Sequence, residues 1–211
     1  MTPVAPQGPD DEQAPGWDAI DAALGGVYGA QPPRHVGYQL PAAFSAGLQG
    51  CSAYDAGDHW HYVTYGLSEL YLPGPEDDPQ FSGWGFELTL RVRRDAEPEP
   101  PGWPFTMLDQ LAKHVNTHGV LLEPGHRIDL AAPVTGHPHT PDGPPTDLTV
   151  FALALDPQLG SIDTPNGRVA FLQVVGVTAD EKQQMLSTST ARVLDRLAAT
   201  DPLLVTDPAR S

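Results

Sequence analysis

The sequence predicts a mixed α+β fold, from three observations. Residues 84–93 alternate apolar and polar with a strict period of two. Two apolar runs, LTVFALAL at 148–155 and RVAFLQVVGVT at 168–178, have the length and composition of interior strands. Helical patterns lie among these strands without regular βαβ alternation, which points away from a purely parallel sheet.

The elements follow in chain order. Residues 1–16 hold Pro, Gly, Gln and acids with almost no large apolar side chain, and read as a tail. Trp17, Ile20, Ala23 and Leu24 form one helical stripe that the Gly25-Gly26 pair is expected to end. His35 to Leu40 reads as a strand, and residues 41–57 as irregular. HWHYVTYG, 59–66, is β by its aromatic and β-branched content, and Gly66 closes it.

PGPEDDPQFSG, 73–83, is a loop by its prolines, glycines and acids. In the strand that follows, Trp84, Phe86, Leu88, Leu90 and Val92 face the core, and Glu87, Arg91 and Arg93 occupy the other, polar face. Pro104 suits a first helical turn; Phe105, Leu108, Leu111, Ala112 and Val115 form a stripe, and Gly119 is placed as the C′ residue. Residues 125–147 are loop-rich. DPQLGSIDTPNG is a connection with a turn at Asn166-Gly167. Thr178 and Glu181 fit a capping box opening one helix through residue 200, and LLVTD is a last apolar run before a short tail at 208–211. The expected organisation is one domain over residues 17–207.

Composition bounds function. There are 27 acidic residues against 11 basic ones, a net charge of −16, so the average surface repels phosphate backbones and anionic lipid. Neither nucleic acid nor a membrane is an expected partner. One cysteine, Cys51, allows no internal disulfide, and no window approaches the roughly 20 apolar residues of a membrane span. With no signal-like start, the expected location is cytoplasmic.

Several constellations have a chemical and a structural reading. His59 and His61, two apart on a strand, point to one face. A metal-dependent hydrolase built on the pair needs a third ligand, for which Asp58, Glu87, His137 and His139 are the candidates. The structural reading, the stronger one, has a histidine bonded to a backbone group or to Glu87 while Trp60, Tyr62 and Trp84 fill the core. HPHT at 137–140 reads as a solvated loop. Cys51 is a nucleophile only if paired with His59 or His61, and otherwise a partly buried apolar group. No G-x-S-x-G elbow and no phosphate-binding glycine loop occurs. The acids of PEDDP, 75–79, close behind Tyr71, are either a solvated loop or the charged rim of an aromatic anchor.

HWHYVTYGLSELY, SGWGFELTLRVRR, PPGWPFTMLDQLAKHV and DPQLGSIDTPNGRVAFLQVVGVTADE together resemble the N-terminal domain of the Suppressor of fused family, in that family's order and spacing. The resemblance spans residues 17–207. It implies a central mixed sheet flanked by helices, no enzymatic activity, no cofactor, and a role in holding another protein, either a peptide added as a strand or a folded partner. Bacterial stand-alone members resembling this chain are candidate immunity proteins, which makes a basic toxin domain one expected partner. The chain stops where the family's N-terminal domain stops, so the expected surface belongs to one domain. The family's peptide-contacting tyrosine matches Tyr71. The acidic residue that follows it in the family aligns with Pro79, so Asp77 and Asp78, just before, are the nearest carboxylates to take its part.

Overall fold

The computed structural model describes residues 13–38, 47–72, 80–95 and 97–211. Its elements are α1 (Pro15–Tyr28), β1 (Arg34–Gly37), β2 (Gly50–Asp55), β3 (His59–Tyr65), β4 (Phe81–Arg93), α2 (Trp103–His118), β5 (Arg127–Asp129), β6 (Leu148–Leu155), β7 (Ser161–Thr164), β8 (Gly167–Thr178), α3 (Ala179–Ser187) and α4 (Thr190–Ala198).

One mixed sheet runs β1-β2-β3-β4-β8-β6-β5, with β7 paired to β8 beside the start of that strand. All pairings are antiparallel except β4 with β8, where Phe86 to Thr89 run alongside Ala170 to Gln173. The expected class, a mixed sheet flanked by helices, is the observed one.

Both faces of the sheet are covered. α2 lays Phe105, Leu108, Leu111, Ala112 and Val115 against Trp60, Tyr62, Leu88, Leu90, Leu172 and Val174. On the opposite face α1 packs Ile20 and Leu24 over Val63, Tyr65 and Phe171. α3 and α4 cover the far side of that face, closing Met185, Val193 and Leu194 over Val150, Ala152, Val175 and Val177. Each large apolar side chain so buried contributes on the order of 1.5–3 kcal/mol.

The double cover corrects the reading of β4. Its alternation is as the sequence predicts, but Glu87, Thr89 and Arg91 are fully buried, not solvated. Trp84, assigned to the core, is half-buried at the edge of a surface hollow.

Other boundaries move for local reasons. α1 begins at Pro15, because a proline costs nothing in a first turn, and runs through Gly25-Gly26 to a C-cap at Gly29. β2 replaces part of the segment read as irregular; its small residues are buried between β1 and β3. β7 forms within the predicted connection, as a hairpin with β8. The capping box at Thr178 is present, but the helix it opens stops at Ser187, and Ser189 caps a second helix by accepting from the Arg192 N–H. Arg210, read as part of a tail, donates to Glu181 Oε1 at 2.5 Å and to the Gly176 carbonyl at 2.7 Å.

Between the α1 and α3/α4 clusters runs a buried polar seam. Arg91 donates from Nη1 to Asp156 Oδ2 at 2.5 Å and from Nη2 to Asp156 Oδ1 at 3.2 Å, both side chains being fully buried. It also donates to Gln173 at 2.7 Å and to Gln158 at 2.9 Å. Thr89 donates to Asp156 at 2.8 Å, and Gln173 reaches the carbonyls of Leu203 and Leu204, tying the C-terminal segment to the sheet.

His61 lies in this seam. Its Nδ1 is 2.7 Å from the Tyr28 hydroxyl and 3.4 Å from Arg91 Nη2. Arginine has no acceptor, so Nδ1 takes the accepting role and the proton sits on Nε2, 3.1 Å from Asp156 Oδ2. Burial is the main reason the imidazole titrates low, at about 4, with the Arg91 charge adding to it. Burial by itself would raise the Asp156 carboxyl, but His61 and Arg91 outweigh it and hold the group well below the usual carboxylate range.

Because His61 titrates below its ordinary 6.5, the unfolded chain takes up that proton first as pH falls. The stability contributed by neutral His61 is therefore complete above about pH 6.5 and lost as pH drops toward 4, about 3 kcal/mol across the window. His59, also lowered by burial, acts in the same sense; Glu87, raised by burial, acts in the opposite sense. A His61→Gln protein isolates the effect: between about pH 7 and pH 5 it should lose about 2 kcal/mol less than the parent. Urea midpoints at the two pH values measure this, and parallel losses would refute it.

Candidate partner-binding site

The stretch from Gly66 to Tyr71 leaves β3 and is held at nearly every residue. Glu87, fully buried at the start of the well-paired part of β4, points its carboxylate into the turn. Its Oε1 accepts from the backbone N–H groups of Gly66, Leu67 and Ser68 at 2.9, 3.1 and 2.9 Å, and from the Ser68 hydroxyl at 2.6 Å. Its Oε2 accepts from Thr64 Oγ1 at 2.6 Å, and that hydroxyl accepts in turn from the Leu88 N–H at 2.8 Å. Burial raises the Glu87 carboxyl, while the donors from Ser68, Thr64 and Gly66 pull against the shift.

Glycines make the turn possible. Gly66 has φ of +120°, and a Cβ there would lie 2.8 Å from the Gln49 nitrogen. Gly83, at φ of +54°, brings β4 so close that a Cβ would lie 2.7 Å from the Leu67 carbonyl oxygen. The Trp84 N–H then donates to that same oxygen at 2.9 Å.

Further along, the Glu69 N–H donates to Ser82 Oγ at 2.9 Å. The Leu70 carbonyl accepts from Gly16 and Trp17 at the start of α1, at 3.0 and 3.3 Å, and the Leu70 side chain is buried under that helix. Asn166, in the β7–β8 hairpin, donates from Nδ2 to the carbonyls of Glu69 and Tyr71. Tyr71 is half-buried, leaning on the α1 cluster, and Leu72 beyond it is 64% exposed.

Tyr71 thus stands at the end of a fixed backbone. Asp77 and Asp78 lie outside the described residues. Phe81, 48% exposed, begins β4 opposite Arg168. Phe81, Trp84, Leu121 and Leu172 line an apolar hollow of about 410 Å³ on the α2 side of the sheet. A more polar hollow of about 370 Å³ between Gln49, Ser68, Glu69 and Asn116 shares Gly83 and Trp84 with it.

The chemical alternatives lose their partners. His59 bonds the exposed Asp58, at 2.7 Å, and His61 belongs to the Arg91–Asp156 seam; neither histidine bonds Glu87. Among the described residues no three His, Cys, Asp or Glu side chains are grouped to hold a metal. His137 meets the Gly143 carbonyl at 3.2 Å within its own loop. Cys51 is fully buried, not partly so, among the α2-side core residues, across the sheet from the seam that holds His61, and burial pushes its thiol up. No described helix is long and apolar enough to cross a membrane.

Sequence reading missed two site residues. Glu87 enters the sequence reading only as a polar-face residue and a possible partner of the histidines, whereas its carboxylate holds the turn after β3. Asn166 was read only as a turn residue, whereas its side chain is the clasp on Glu69 and Tyr71.

Comparison with known proteins converges on one family. The family model described as Suppressor of fused protein (SUFU) matches residues 46–211. The Suppressor of fused homologs of Homo sapiens and Mus musculus are each 33% identical over 164 residues, covering 72% of this chain. The chain spans about a third, 32%, of the length of those relatives. The crystal structure of the Sufu–Fu complex superposes with a TM-score of 0.82 at 31% identity, covering 95% of this chain and 92% of that one. Drosophila Suppressor of Fused superposes with the same TM-score, 0.82, at 30% identity, over 98% of this chain and 53% of that one. A Neisseria gonorrhoeae homolog shares the fold, with a TM-score of 0.61 at 14% identity over 93% of this chain and 95% of that one. The sheet and its flanking helices are the fold of these relatives, and the chain belongs to the Suppressor of fused family.

Proposed function

We propose that the protein is a non-enzymatic binding module that holds a partner protein at the Tyr71–Leu72 platform, with Asp77 and Asp78 supplying a charged rim. The observation that carries the reading is the fixation of residues 66–71 by Glu87, Ser82, Asn166 and α1, which presents a half-buried aromatic next to an exposed leucine on a backbone already ordered. Pre-ordered platforms bind better because association then costs less conformational entropy. Family membership supports the same reading, since one relative was solved as a Sufu–Fu complex.

The partner class that the charge favours is basic. A net charge of −16 raises the encounter rate with cationic proteins and disfavours nucleic acid. A secreted toxin domain neutralised by this chain in the cytoplasm has that character. The test is capture of the product of an adjacent toxin gene by the intact chain, followed by titration. A Tyr71→Ala, Asp78→Ala double variant should weaken binding by at least about tenfold, the loss typical of anchor residues. Undiminished binding by that variant would place the surface elsewhere.

A further inference from the structure

We infer that His114 and His118, one turn apart at the end of α2, form an open two-imidazole site for a divalent first-row transition metal. The two rings share one exposed stripe of the helix, with centroids 4.6 Å apart. Residues at i and i+4 on a helix project side by side, the spacing that metal-binding helices use to offer two imidazoles to one ion. Nitrogens about 2.0–2.1 Å from a shared metal lie roughly 3 Å from each other, within reach of neighbouring rings by small side-chain rotations.

The tautomer suits the task. His118 Nδ1 lies 3.0 Å from the His114 carbonyl oxygen, which only accepts, so Nδ1 carries the proton and Nε2 keeps its lone pair. A ring N–H donated to a backbone carbonyl is the arrangement that orients metal-bound histidines elsewhere. The setting also favours a cation. His118 occupies the last turn of α2 before the Gly119 cap, where the helix dipole is negative, and His114 lies one turn before it. The nearest helical cation, Lys113, is drawn toward Asp109 in the preceding turn at 2.6 Å.

No third His, Cys, Asp or Glu joins them among the described residues. The ion therefore keeps water in its other positions, which suits tetragonal Cu²⁺ and, more weakly, Ni²⁺ and Zn²⁺, and does not suit Ca²⁺ or Mg²⁺.

Untagged full-length chain titrated with CuCl₂ in a non-coordinating buffer tests the site by calorimetry and electron paramagnetic resonance. The expected result is one equivalent of Cu²⁺ with an imidazole-nitrogen signal, tighter than NiCl₂ or ZnCl₂. His114→Ala and His118→Ala should each weaken it at least about tenfold, with the circular dichroism unchanged because both rings are exposed. A His137→Ala, His139→Ala protein should bind as the parent does. Binding that survives both α2 substitutions, that disappears instead with the loop pair, or that never reaches one equivalent overturns the assignment.

Discussion

An Arg91→Met protein should be less stable than the parent by about 3–5 kcal/mol, the loss expected when one member of a buried ion pair is removed. The guanidinium meets both Asp156 oxygens, with both side chains fully buried. Methionine keeps much of the volume and none of the charge. Asp156 would then retain donors from Thr89, Gln158 and Leu159 but lose its counter-charge. Gln173 and Gln158 would each lose a donor as well. The loss is thus the cost of a stranded carboxylate more than the worth of the pair, and a second change, Asp156→Leu, should restore a large part of it. Urea unfolding at pH 7 with an unchanged m-value measures both steps. A loss under about 1 kcal/mol would show that Asp156 finds another partner or takes a proton. The same substitution removes a positive neighbour of His61, so the imidazole should titrate higher in Arg91→Met than in the parent.

How much of this was legible depends on what each pattern reports. Period-two alternation gives the pleat of β4 and tells which side chains share a face, but it does not tell whether a second layer covers the polar face. That information lay in other strands. His61 in β3 and Gln173 in β8 are polar positions inside otherwise apolar runs, and His61 is in direct register with Arg91. Three polar residues at matching depth in neighbouring strands are the signature of a buried seam, and the signature appears only once the strand order is known.

β2 escaped because Gly50, Cys51, Ser52 and Ala53 are small, and small residues carry little β propensity. They are there because β2 lies beneath α1 and α2 contacts on its two faces. The break between α3 and α4 had a local signal in Ser189, one capping serine within a run that also contains Ser187, Thr188 and Thr190. Tyr71 was marked by motif alone; its fixation depends on Gly16, Ser82 and Asn166, which are distant in sequence and converge only through the fold.

Glu87→Ala should loosen the candidate site without touching its surface. Removing the carboxylate leaves the N–H groups of Gly66, Leu67 and Ser68 without their acceptor in a turn that includes the buried Leu67. Hydroxyls can rotate toward other acceptors, so Thr64 and Ser68 recover part of their loss, whereas backbone amides cannot turn away. Each stranded amide costs about 1–3 kcal/mol, giving about 2–6 kcal/mol in total even if water enters beside one of the three. Glu87→Gln should cost less, because its carbonyl oxygen can still accept from the amides while its NH₂ group is set against the Thr64 hydroxyl. Amide hydrogen exchange separates this local effect from general destabilisation. Exchange at Gly66, Leu67 and Ser68 should accelerate far more than in the α2 core, and partner affinity should fall in the same order, Ala below Gln below Glu. Equal acceleration throughout the sheet would mean that Glu87 supports the fold alone, and affinity independent of residue 87 would separate the Tyr71 platform from the latch beneath it.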